Sequence, residues 1–143
     1  MATDADRPVL VLVDDLFVRG RIDATARATG RRVRYARSVD DVRAALRDDR
    51  PRAVLVGLAA TRLPWADLVR ELKADAATAD IYVLGFGPHK DLALRARALE
   101  AGVDRVLANS AFTRALPELL ASPAADVADD ADEGGGAGAR VDV

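Results

Sequence analysis

The sequence predicts an α/β fold, a parallel sheet with helices packed on both faces. Three observations predict it. Five short apolar runs, "VLVLV", "RRVRYA", "AVLVGL", "IYVLGF" and "DRVLA", alternate with segments patterned at helical spacing. The first run is apolar throughout, as suits a strand covered on both faces. Strands that alternate with helices become parallel neighbours through right-handed crossovers. Such a sheet places its chemistry beyond the carboxyl ends of its strands, here after Val13, Val56, Leu84 and Leu107.

After "VLVLV" (Val9 to Val13), Val18, Ile22, Ala26 and Thr29 share one helical face, and Gly30 supplies a C-terminal stop. "RRVRYA" alternates Val33 with Tyr35, a weaker strand. Ser38 is placed to N-cap a helix whose inward stripe is Val39, Val42 and Leu46. "AVLVGL" is the third strand. Pro64 suits the first turn of a helix that turns Trp65, Leu68, Val69 and Leu72 inward. "IYVLGF" is the fourth strand, followed by a helix with Leu92, Ala96 and Leu99 as its stripe and Gly102 as its stop. "DRVLA" is the fifth strand. Leu116, Leu119 and Leu120 mark a last short helix, which must begin near Pro117 because proline breaks a helix interior.

The chain has 143 residues, half of them hydrophobic, which suits one domain with a real core. It has no cysteine, so disulfides, thiol nucleophiles and cysteine metal sites are excluded together. No signal peptide and no membrane-length apolar run is visible, so the expected location is the cytoplasm. Charge is uneven. Residues before Ser122 carry 20 bases and 17 acids, whereas the stretch from Ser122 onward carries six acids and one base. The expected organisation is a folded domain over residues 7–121 and a disordered acidic, Gly-rich tail over 122–143. Eighteen of the 20 bases are arginine, which reflects codon usage or nucleic-acid binding.

Two adjacent carboxylates, Asp14 and Asp15, follow the first strand. They form a divalent-metal site of the oxygen-rich kind that suits magnesium, or they divide between a helix N-cap and solvent. At the end of the third strand, where such a sheet does its chemistry, stands Gly57.

The stretches "VLVLVDD", "AVLVGLAATRLPWADLVRELKA" and "AGVDRVLANSAF" resemble the receiver domain of two-component response regulators, over about residues 7–121. The resemblance implies a flavodoxin-like three-layer sandwich, five parallel strands in the order 2-1-3-4-5. It also implies a phosphorylation pocket. An aspartate after the third strand is the nucleophile. An acid pair holds magnesium, and a Ser or Thr after the fourth strand and a Lys-Pro after the fifth contact the phosphoryl oxygens. This chain keeps the acid pair as Asp14 and Asp15. The nucleophile position falls on Gly57, the hydroxyl position on Gly87, the lysine position on Asn109 and the proline position on Ser110. The neighbours of Gly57 are Val56 and Leu58, so a shift of one residue restores no acid, and Asp67 falls inside the following helix. Asp14 and Asp15 are then only weak magnesium ligands, and Arg19 and Arg62 are candidate counter-charges. The resemblance is therefore to a degenerate receiver, and no cofactor is expected beyond weakly held magnesium.

Other features have bland and sharp readings. Gly85 and Gly87 in "GFGPHKD" lie after the wrong strand for a dinucleotide fingerprint and read as turn and packing residues. His89 is an exposed loop histidine, or else a metal ligand or a phosphohistidine. Trp65 is a partner anchor at a pocket mouth or a packing residue. Arg95, Arg97, Arg105 and Arg114 fall on the face that receivers present to partners or to a second copy, and are a candidate interaction surface. The expectation is a non-enzymatic, phosphorylation-independent signalling module with a protein partner or a homodimer. The alternatives are a small-ligand or metal sensor in the emptied acidic pocket, and an arginine-mediated nucleic-acid binder, which the acidic tail and few aromatic residues oppose.

Overall fold

The computed structural model describes residues 6–60 and 62–129. The elements follow the predicted alternation. β1 (Val9–Leu12) leads to α1 (Leu16–Thr29), β2 (Val33–Ala36), α2 (Val39–Asp48), β3 (Ala53–Gly57) and α3 (Trp65–Ala74). Then come β4 (Tyr82–Gly87), α4 (Leu92–Ala101), β5 (Arg105–Ala108), α5 (Asn109–Arg114) and α6 (Leu116–Ala121). All strand pairs are parallel and the sheet order is β2-β1-β3-β4-β5, the flavodoxin-like winding. The edge strand β2 is mostly half-buried, whereas β1 and β3 are buried at every position.

Successive residues of the strands feed opposite cores, as the two-residue strand period requires. Leu10, Leu12, Val54 and Val56 pack with Val42, Trp65, Leu72 and Ala98 of α2, α3 and α4. Val9, Val11, Leu55 and Leu84 pack with Ile22 of α1, Phe112 of α5 and Leu119 of α6. These are the two outer layers of a three-layer sandwich.

The predicted helix signals are mostly used as read. Gly30 ends α1 in the left-handed region at φ 68°, and its N–H donates to the Ala26 and Arg27 carbonyls. The Ser38 side chain accepts from the Asp41 N–H. Pro64 stands one residue outside the predicted first turn, at the N-cap of α3. Gly102 caps α4 at φ 113°, and a Cβ there would lie 2.8 Å from Lys73 Cγ.

One expectation needs correction. The stripe Leu92, Ala96 and Leu99 does not face the core. Leu92 is 71% exposed and Leu99 49%, whereas Ala98 and Ala101 are buried and Leu94 packs partly beside them. Small alanines let α4 approach the sheet closely, so its inner face carries little hydrophobic signal. The last short helix is as read, α6 with Pro117 in its first turn and Leu116, Leu119 and Leu120 buried, and a further short helix, α5, precedes it across Ala115.

The ordered chain continues beyond residue 121. Residues 122–129 lie beside β5, and Val127 joins the α1 side of the core at 7% exposure. Arg105 donates to the carbonyls of Ala125 and Val127, and Asp129 Oδ1 accepts from the Ala108 N–H at 3.3 Å. Arg114 donates to the Ala128 carbonyl at 3.3 Å, and Arg95 pairs with Asp129 at 3.7 Å. A strand with a neighbour on only one side presents unpaired backbone groups, and this segment covers part of that edge. The rest of the predicted disordered tail, residues 130–143, lies outside the described residues.

Candidate functional site

The loops leaving β1 and β3 part at the carboxyl edge of the sheet, where the strand order reverses. Asp14 and Asp15 stand there and divide their work. Asp15 is the N-cap of α1, and its Oδ1 accepts from the N–H groups of Phe17 at 2.8 Å and Val18 at 3.3 Å. Its carboxylate satisfies two of the donors that a helix start leaves open. Asp14 Oδ2 accepts from the backbone N–H of Arg62 at 3.3 Å.

Gly57, the last residue of β3, is paired in register with Phe86 of β4. A Cβ on Gly57 would lie 3.4 Å from Phe86 Cζ and 3.4 Å from Val13 Cγ2. The Phe86 ring stacks on Phe112 with centroids 3.8 Å apart and planes 6° apart. The end of β3 therefore looks onto stacked rings, with the acid pair at the rim. Phe86 was not singled out from sequence. Its signal was an aromatic at the end of β4 in a chain only 4% aromatic.

A cavity of about 300 Å³ is lined by Asp14, Asp15, Gly57 and Asn109 together with Phe86 and Phe112. Four of the five predicted pocket positions thus meet. Asn109 is exposed and is the first residue of α5. Gly87 is the exception: its absent side chain would meet Leu58 Cβ at 3.4 Å and Leu94 Cδ2 at 3.6 Å. It lines a separate, nearly filled cleft with His89 and Asp91.

The donor set is thin for magnesium. That ion wants near-octahedral oxygen coordination, generally through carboxylates that are free to reach it. Asp15 Oδ1 is taken up by the helix cap and Asp14 Oδ2 by a loop N–H, one oxygen of each carboxylate, and Gly57 supplies no carboxylate. Among the described residues no group of three or more His, Cys, Asp or Glu is placed to hold a metal ion.

Trp65 is 1% exposed, and its Nε1–H donates to the Leu58 carbonyl at 3.1 Å, so it is a packing residue and not an anchor at a pocket mouth. Arg97 lies over its ring at 4.9 Å. The other three arginines of the expected interaction surface, Arg95, Arg105 and Arg114, hold residues 125–129 of their own chain. Arg19 lies over the Tyr35 ring at 4.5 Å. Burial, reinforced by Asp23, pushes the Tyr35 hydroxyl up to about 12.

No protein-family model matches the chain, and no curated protein matches it by sequence. Solved structures do match by fold, among them receiver domains of response regulators and of a sensor histidine kinase. The receiver domain of NtrX from Brucella abortus superposes with a TM-score of 0.66 at 21% identity, over 82% of this chain and 99% of that one. The chemotaxis response regulator CheY4 of Vibrio cholerae gives 0.67 at 14% identity, over 80% and 95%. The receiver domain of the sensor histidine kinase PA1611 from Pseudomonas aeruginosa, with a magnesium ion coordinated in its active site cleft, gives 0.65 at 21%, over 82% and 100%. At these identities the likeness is one of fold.

Proposed function

We propose that this chain is a receiver-like signalling module that acts by protein contact and does not accept a phosphoryl group. One observation carries the reading: Gly57 stands at the end of β3 with Phe86 and Val13 around the space its side chain would enter. An acyl phosphate needs a carboxylate oxygen to attack phosphorus, and glycine has no nucleophilic atom. The groups that would neutralise the transferring charge are missing too, since Gly87 has no hydroxyl and Asn109 no cation. With no phosphoryl transfer there is no enzymatic step to assign.

The partner is a protein or a second copy of the chain. Leu16 and Phe17, at the start of α1 beside the site, are 75% and 91% exposed and offer it apolar surface. Among the described residues no helix is long and apolar enough to cross a membrane, and a cytoplasmic location is part of the proposal.

The test is incubation with acetyl phosphate and magnesium, followed by intact mass measurement. No gain of a phosphoryl group is expected. A hydroxylamine-labile adduct within residues 7–129 overturns the reading.

A further inference from the structure

Val13 and Asp14 also wall a second opening, of about 540 Å³, with Leu16, Arg19, Arg37 and Arg62. Its three arginines come from α1, from just after β2 and from the loop between β3 and α3. Many arginines elsewhere are held by acids or carbonyls, among them Arg27 by Asp23, Arg34 by Asp48 and Arg52 by the carbonyls that end α6. Among the described residues, no carboxylate pairs with the guanidinium of Arg19, Arg37 or Arg62. The one acid of the wall, Asp14, accepts from the Arg62 backbone N–H. Tyr35 under the Arg19 guanidinium helps to orient it.

Three such cations in one groove favour an anion with several charged oxygens. The planar guanidinium fork matches phosphate oxygens two at a time. The groove lies at the carboxyl edge of the sheet, where doubly wound folds take ligands. It shares Val13 and Asp14 with the cavity lined by Phe86 and Phe112, whose 300 Å³ suits a ring or short alkyl body. We infer that the two openings form one site for a small phosphate monoester, its phosphate on the arginines and its apolar body against the phenylalanines. This goes beyond contact signalling and needs no carboxylate at position 57.

The experiment is calorimetric titration of the full chain with phenyl phosphate and with inorganic phosphate, with folding of each variant checked by circular dichroism. Phenyl phosphate is expected to bind at least tenfold more tightly than inorganic phosphate. Arg37→Gln with Arg62→Gln, both at exposed positions, should weaken it at least tenfold. Ala59→Phe, at the exposed lip of the apolar cavity, should weaken phenyl phosphate by a similar factor and leave inorganic phosphate unchanged. The inference is overturned by no saturable binding of either compound, or by affinities that ignore the arginine changes. It is also overturned if a single-stranded oligonucleotide binds through the same arginines more tightly than phenyl phosphate. No phosphodonor is present, so failure here leaves the contact reading intact, and an acyl-phosphate adduct would leave the groove intact.

Discussion

Returning a carboxylate to position 57 is the most direct test of the pocket's character. In Gly57→Asp the new Cβ meets Phe86 and Val13 at ordinary contact distance, 3.4 Å each, so sterics alone cost little. The charge is the difficulty. The carboxylate would sit against stacked rings, with Asp14 and Asp15 at the rim, Asn109 where a cation would be needed, and the arginines of the neighbouring opening on the far side of Asp14. Burial and like charges both hold a carboxyl proton on, raising its folded pKa by about two to three pH units above about 3.9. At 1.36 kcal/mol per unit, the variant is expected to lose about 3–4 kcal/mol at pH 7. The sign follows from proton counts. Between about pH 4 and 7 the unfolded chain has released this proton and the folded chain retains it, so stability falls as pH rises. Below about pH 4 both states are protonated and most of the deficit disappears. Gly57→Ala is the control. Gly57 is not among the positive-φ glycines, so alanine is tolerated there and should stabilise by about 0.4–1 kcal/mol through the unfolded state. Urea unfolding of both variants at pH 4 and pH 7 measures all of this. A Gly57→Asp protein as stable as the parent at pH 7 would refute the reasoning, because some cation must then reach the pocket.

Trp65→Phe removes the donor to the Leu58 carbonyl and should cost about 1–3 kcal/mol; Trp65 is the only tryptophan, so unfolding is followed by circular dichroism. Tyr35 should ionise near 12 in an absorbance titration, and stability, flat with respect to this group below pH 10, should fall from there toward 12 as the unfolded tyrosine ionises first. Tyr82, also raised by burial, moves the same way. Leu92→Ser and Leu99→Ser together should change stability by no more than about 1 kcal/mol, whereas a loss of several would restore the core stripe read from sequence.

The backbone plan was legible because its signals are local. Gly30, Ser38 and Gly102 act within one turn of where they stand, and β1 and β3 declare themselves by unbroken apolarity. The acid pair and Gly57 were legible for the same reason, since strand ends fix where chemistry can occur. What failed to show is non-local. The inner face of α4 is built of alanines, whose burial depends on how near the sheet lies and not on their own hydrophobicity. The packing of residues 122–129 depends on Arg105 reaching carbonyls about 20 residues away, and Val127 alone in a small polar stretch gave little warning. Phe86 and Phe112 meet only because β4 and α5 do, so the aromatic floor of the pocket could not be read from spacing.

The segment beside β5 makes the face it covers a conditional one. A second chain that sought Arg95, Arg105 or Arg114 would find them engaged in cis, and its affinity would be diluted by the fraction of molecules in which residues 122–129 had let go. Removing residues 122–129 would then open this face, and a bulky group joined at Asp129 would do the same by displacing the segment.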